Sequence, residues 1–111
     1  MSPLTITVRD ADTGPVLRVT GDLDFDTAPR LRQAVDGLAL APGDLLVLDL
    51  GGLEFCDSSG ISAMITAHNK ASAAKAAMAL AAVPDNITRV LGIVGLDKIF
   101  ARHEPAPPKT P

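Results

Sequence analysis

Leu45-Leu46-Val47-Leu48-Asp49-Leu50, then Phe55-Cys56-Asp57-Ser58-Ser59-Gly60, then the run from Ile61 to about Lys75 decide the fold. The first six residues are nearly all apolar, the pattern of a central strand covered on both faces. Beyond Gly60, the residues Ile61, Met64, Ile65, His68 and Ala71 recur on one helical face. Asp-Ser-Ser-Gly therefore falls where a strand's loop turns into a helix. In α/β domains that is where polar groups meet solvent and partners. A helix start also favours negative charge, because its first N–H groups are unpaired and the positive end of the dipole points outward. A phosphate on a serine there would change the local charge by roughly −1.5 to −2.

Toward the N-terminus, Leu4 to Arg9 alternates and is rich in β-branched residues, Asp12-Thr13-Gly14-Pro15 signals a turn, and Val16 to Thr20 reads as a second strand. The two strands form a hairpin. Gly21 to Asp26 is an acidic connection into a first helix, capped by Asp26 or Thr27, with Pro29 in the first turn and Leu31, Ala34, Val35 and Leu38 on one stripe. Pro42-Gly43 ends that region.

Toward the C-terminus, Ala71 to Ala82 fits two patterns. The helix either continues, or breaks near Ala74-Lys75 and resumes as a strand over Met78–Val83. The break is preferred, because a helix from Ser58 to Val83 is long for a domain of this size. Pro84-Asp85-Asn86 opens a third helix with Ile87, Val90, Leu91 and Val94 on one face and Gly95 as its C-terminal cap; Leu96 to Phe100 reads as a last short strand. The expected fold is one α/β domain over residues 1–103, a four- to five-stranded mixed sheet with an N-terminal hairpin and about three helices. Residues 104–111 are proline-rich and expected to be a disordered tail.

Composition narrows the function. The chain has 111 residues, 47% of them apolar, with no Trp or Tyr and three Phe, so the core must be aliphatic. Aromatic platforms for stacking bases are scarce, the net charge is −3, and no Lys/Arg cluster stands out, all of which disfavour nucleic acid or an anionic membrane as partner. No basic region precedes an apolar run at the N-terminus, and no apolar stretch approaches the roughly 20 residues of a membrane span, so a cytoplasmic protein is expected. The single cysteine, Cys56, excludes an internal disulfide and reads as a packing residue.

The candidate site residues each have a plainer reading. Asp57 and Ser58 suit a helix cap, which requires no partner. Asp22, Asp24 and Asp26 alternate as in a calcium loop, but such a loop starting at Asp22 needs Gly at position 27 and an acid at position 33, where Thr27 and Gln33 stand. His68 reads as a packed or hydrogen-bonded histidine and His103 as a tail residue, without companions at ligand spacing, so no metal or other cofactor is expected. A Ser58 nucleophile would need a strained Gly-x-Ser-x-Gly elbow, which is absent.

Three elements together make the chain resemble the STAS-domain family of bacterial anti-sigma factor antagonists. They are Gly21-Asp22-Leu23-Asp24, the run from Leu48-Asp49-Leu50 through Phe55 to Ile61, and Val90-Leu91-Gly92-Ile93-Val94-Gly95-Leu96. The resemblance covers roughly Leu4 to Ala101. It implies a regulatory binding protein and not an enzyme. Unphosphorylated, such a protein binds an anti-sigma serine kinase and so releases a sigma factor. The kinase, using its own ATP, phosphorylates the first serine of the motif, here Ser58, and a serine phosphatase resets it. On this reading Asp22, Asp24, Asp57, Ser58, Ser59 and Gly60 form the partner surface, with Asp22 and Asp24 an acidic rim opposite a basic patch on the kinase. The alternative is a STAS subunit docked in a transport or other regulatory complex without a phosphorylation cycle.

Overall fold

A two-residue turn, Asp12-Thr13, closes the hairpin, because strand β1 (Thr5–Ala11) pairs antiparallel with β2 (Gly14–Leu23) from Thr5↔Thr20 to Ala11↔Gly14. The computed structural model describes residues 3–93 and 101–102 of the chain. After the hairpin follow helix α1 (Ala28–Asp36), strand β3 (Leu45–Cys56), helix α2 (Ser58–Ala73), strand β4 (Ala77–Ala81), helix α3 (Asp85–Ile93) and the two-residue strand β5 (Ala101–Arg102). The sheet order is β1-β2-β3-β4-β5, with β2 to β5 all parallel. The expected mixed sheet, hairpin and three helices are all present. Val94, Gly95, the expected strand over Leu96–Phe100, His103 and the proline-rich tail lie outside the described residues.

Each parallel strand adds to the same side of its predecessor, so right-handed crossovers set the connecting helices on one face of the sheet. The core confirms it. Leu31 and Val35 of α1, Met64, Ala67 and Ala71 of α2, and Ile87 and Leu91 of α3 form one cluster with Leu17, Val19, Leu46, Leu48, Leu50 and Leu80. The expectation that β3 is covered on both faces holds only in part, with Ala79 and Ala81 of β4 buried beside Val47 on the second face. Val47 is buried, but on that same face Asp49 is only half-buried and Arg18 is exposed, and Thr7, Arg9, Val16, Arg18 and Asp49 line an open groove of about 310 Å³.

Two strands run further than their composition suggested. β2 continues through Gly21-Asp22-Leu23, and β3 through Gly51-Gly52 to Cys56. The register slips between Arg18 and Thr20 and again between Gly21 and Asp22. Each slip changes which parity of β3 faces the helices, so the buried positions run Leu46, Leu48, Leu50, Leu53, Cys56. A spacing of three replaces the alternation by two that marks a regular strand.

The break after α2 is real, and its chemistry is unusual. Lys75 takes the left-handed conformation (φ 61°), while the Ala76 amide donates to the Ala71 carbonyl at 2.8 Å and the Lys75 amide to Ser72 at 3.0 Å. Those two bonds are the helix-ending arrangement that usually employs glycine at the left-handed residue.

Candidate functional site

Parallel strands β2 and β3 end side by side, Leu23 paired with Cys56. The residue after each strand is an aspartate, Asp57 at the start of α2 and Asp24 in the turn that leads into α1. Asp57 is the N-cap of α2, its Oδ1 accepting from the Gly60 amide at 3.0 Å. Asp24 does the same work before α1. Its Oδ1 accepts from the amides of Asp26 at 3.0 Å and Thr27 at 3.1 Å, while the Thr27 hydroxyl accepts from the Asp24 amide at 2.9 Å. That reciprocal pair is a capping box set one turn ahead of the regular helix.

The expected cap of α1 is corrected accordingly. Thr27 occupies the N-cap position but makes no side-chain cap bond, and Asp26 is exposed. Asp24 takes the role because the chain already turns there, its carbonyl accepting from the Ala28 amide at 2.7 Å. Asp22 is also relocated. It lies half-buried at the end of β2, opposite Phe55, and not in a connecting turn.

The two helix starts are tied together. Asp57 Oδ2 accepts from the Phe25 amide at 3.2 Å, and the Asp57 amide donates to the Leu23 carbonyl at 3.2 Å. One carboxylate thus caps α2 and holds the β2–α1 loop. Gly60 is needed for close approach: a Cβ there would meet Cys56 Sγ and the Leu23 carbonyl oxygen, both at 2.7 Å. Helix α2 seats on the ends of β2 and β3 only because that position lacks a side chain.

Ser58 is the first residue of α2 and is exposed; Ser59 is half-buried. Because Asp57 supplies the cap, the Ser58 hydroxyl is not engaged in it. Beneath lies Cys56, buried, its thiol pushed up from 9.0 to about 12 first by desolvation and then by the Asp57 charge. His68 is half-buried on α2, ten positions along from Ser58. Among the described residues no group of three or more His, Cys, Asp or Glu is placed to hold a metal, and no helix is long and apolar enough to cross a membrane.

Two residues at this edge escaped the sequence reading. Phe25 and Phe55 are 76% and 50% exposed. Phe25 stands in the loop that Asp57 holds, and Phe55 shares its sheet face with Asp22. The signal was available: of only three aromatic residues, Phe55 falls inside one motif and Phe25 directly follows another.

The family model described as Mlab, STAS domain, matches residues 6–101. The chain belongs to the STAS domain family. This STAS chain is similar to the anti-sigma-B factor antagonist of Listeria monocytogenes, 26% identical over 98 residues, which cover 87% of this chain and 86% of the relative. Among solved structures it is similar to an anti-sigma factor antagonist from Mycobacterium paratuberculosis, with a TM-score of 0.75 and 29% identity over 91% of this chain and 86% of the other. It also shares its fold with the Bacillus cell fate determinant SpoIIAA in the phosphorylated form, with a TM-score of 0.69 and 16% identity over 94% of each chain.

Proposed function

We propose that this STAS domain is an anti-sigma factor antagonist whose binding surface is the edge formed by Asp22, Asp24, Asp57, Ser58, Ser59 and Gly60, and whose switch is phosphorylation of Ser58. In its unphosphorylated form it binds an anti-sigma serine kinase and frees a sigma factor; the kinase transfers a phosphoryl group from ATP to Ser58 Oγ, and a serine phosphatase removes it. The observation that carries the reading is the division of labour at the start of α2. Asp57 caps the helix, which leaves the neighbouring serine exposed at the first helical position. Names of similar proteins support the antagonist role.

The phosphate would sit beside the Asp57 carboxylate, with the helix N-terminus offsetting only part of the repulsion. Its hydrated, bulky dianion would have to be desolvated in a fitted contact, and that cost drives release.

The test is to incubate the purified chain with each anti-sigma serine kinase of its own organism and ATP, and to locate the phosphate by mass spectrometry. Phosphate on Ser58, absent from Ser58→Ala, and weaker kinase binding by the phosphorylated form are expected. No phosphorylation by any kinase, with stable binding to another assembly, would support docking without a phosphorylation cycle.

A further inference from the structure

We propose that Phe25 and Phe55 are paired apolar anchors that seat in hydrophobic pockets of the anti-sigma partner, pockets bordered by lysine or arginine. The proposal rests on the antagonist reading above and gives the partner's surface a chemistry. Among the described residues only three large hydrophobic side chains are exposed, Val8, Phe25 and Phe55, and the two aromatic ones both stand at the C-terminal edge of β2 and β3. Water-exposed phenyl rings cost free energy in the isolated domain and bury a large area at an interface, the profile of residues that dominate binding.

Phe25 is also preorganised. The Asp57 carboxylate holds its amide at 3.2 Å, and the Asp24–Thr27 capping box fixes the turn around it. An anchor on a fixed turn loses less freedom on binding than one on a loose loop. Phe55 is held by strand pairing opposite Asp22.

Charge defines what surrounds the pockets. Asp22, Asp24, Asp26, Glu54 and Asp57 lie in the two segments carrying the rings, and neither Val19–Ala28 nor Leu50–His68 contains a Lys or Arg. Arg32 reaches Ser62 Oγ at 3.4 Å, one turn along α2, but the carboxylates of the two segments outnumber it, so a basic border on the partner is complementary. Asp57, which holds the Phe25 amide, immediately precedes Ser58, so a phosphate on Ser58 would have to be desolvated as the Phe25 turn seats.

The experiment uses the full chain and the kinase that phosphorylates Ser58 in the test above, with Phe25→Ser, Phe55→Thr and the double variant measured by calorimetry and surface plasmon resonance. Each ring removed should raise Kd by at least about tenfold, mainly through faster dissociation, while leaving the salt dependence of association unchanged. Melting temperatures should stay near the wild-type value, since both rings are exposed, which separates lost anchoring from lost folding. Values of Kd within twofold of wild type in both single variants and the double variant would overturn the anchors and leave the antagonist reading standing. No kinase binding to the wild-type chain would overturn both. A concentration-dependent dimer in sedimentation, abolished by Phe25→Ser, would assign the rings to a second copy of this chain and overturn the proposal.

Discussion

Asp57 divides its carboxylate between two elements, Oδ1 to the Gly60 amide and Oδ2 to the Phe25 amide. Asp57→Ala removes both and should cost about 1–2 kcal/mol, read from the urea midpoint. Asp57→Asn retains one acceptor oxygen and a good cap, so it should cost less. It should still speed hydrogen exchange at the Phe25 amide, which loses its acceptor. Ser58→Ala, one residue on, should leave stability within about 0.5 kcal/mol of wild type, because the cap is not its own. Cys56 supplies a second expectation. Its thiol is raised from 9.0 to about 12, by burial first and by Asp57 second. The unfolded chain ionises at the ordinary value, so it holds fewer protons than the folded chain above pH 9. The stability this contributes is complete below pH 9 and is lost as pH climbs toward 12. Denaturant midpoints across that range should fall more steeply for wild type than for Cys56→Ala.

Helix α2 ends on a lysine in a conformation that glycine adopts without strain. Lys75→Gly should therefore raise stability by roughly 0.5–1 kcal/mol, with Ala76 still bonded to Ala71. Loss of stability in thermal melts would mean that the Lys75 side chain contributes more than its backbone costs. The break itself was legible, because the Ala-rich run was too long for one helix. The left-handed residue was not, since lysine carries no signal for it. The ends of β2 and β3 were hidden for a related reason. Gly21-Asp22 and Gly51-Gly52 look like loop, yet the parallel neighbours hold them in the sheet, and two register slips erase the alternation that would have revealed it.

At the scale of the molecule, one-sided crossovers gather three helices on one face and set two helix starts beside each other at one edge. The acidic residues there fall into two kinds. Asp24 holds the turn before α1, so Asp24→Lys should weaken both binding and folding. Asp26 is exposed and its carboxylate caps nothing, which makes it the cleaner probe of the field. Asp26→Lys should slow kinase association at low salt, with the difference fading as the Debye length drops below about 10 Å above 0.1 M, and should leave the melting temperature unchanged. An on-rate equal to wild type at low salt would show that Asp26 adds nothing to the field of the Asp22 and Asp24 rim.

The sequence by itself determined the element order, the hairpin, the aliphatic core and the place of Asp57-Ser58-Ser59-Gly60 at a helix start. These follow from local periodicity, turn chemistry and capping preference, all written within a few residues. Only the tertiary structure decided which aspartate caps α1, that Asp22 belongs to a strand, that Asp57 clasps the Phe25 loop, and that Phe25 and Phe55 are exposed. Those facts arise between strands far apart in the chain. The pairing of Leu23 with Cys56 brings Asp24 beside Asp57, and no pattern within either segment encodes that register.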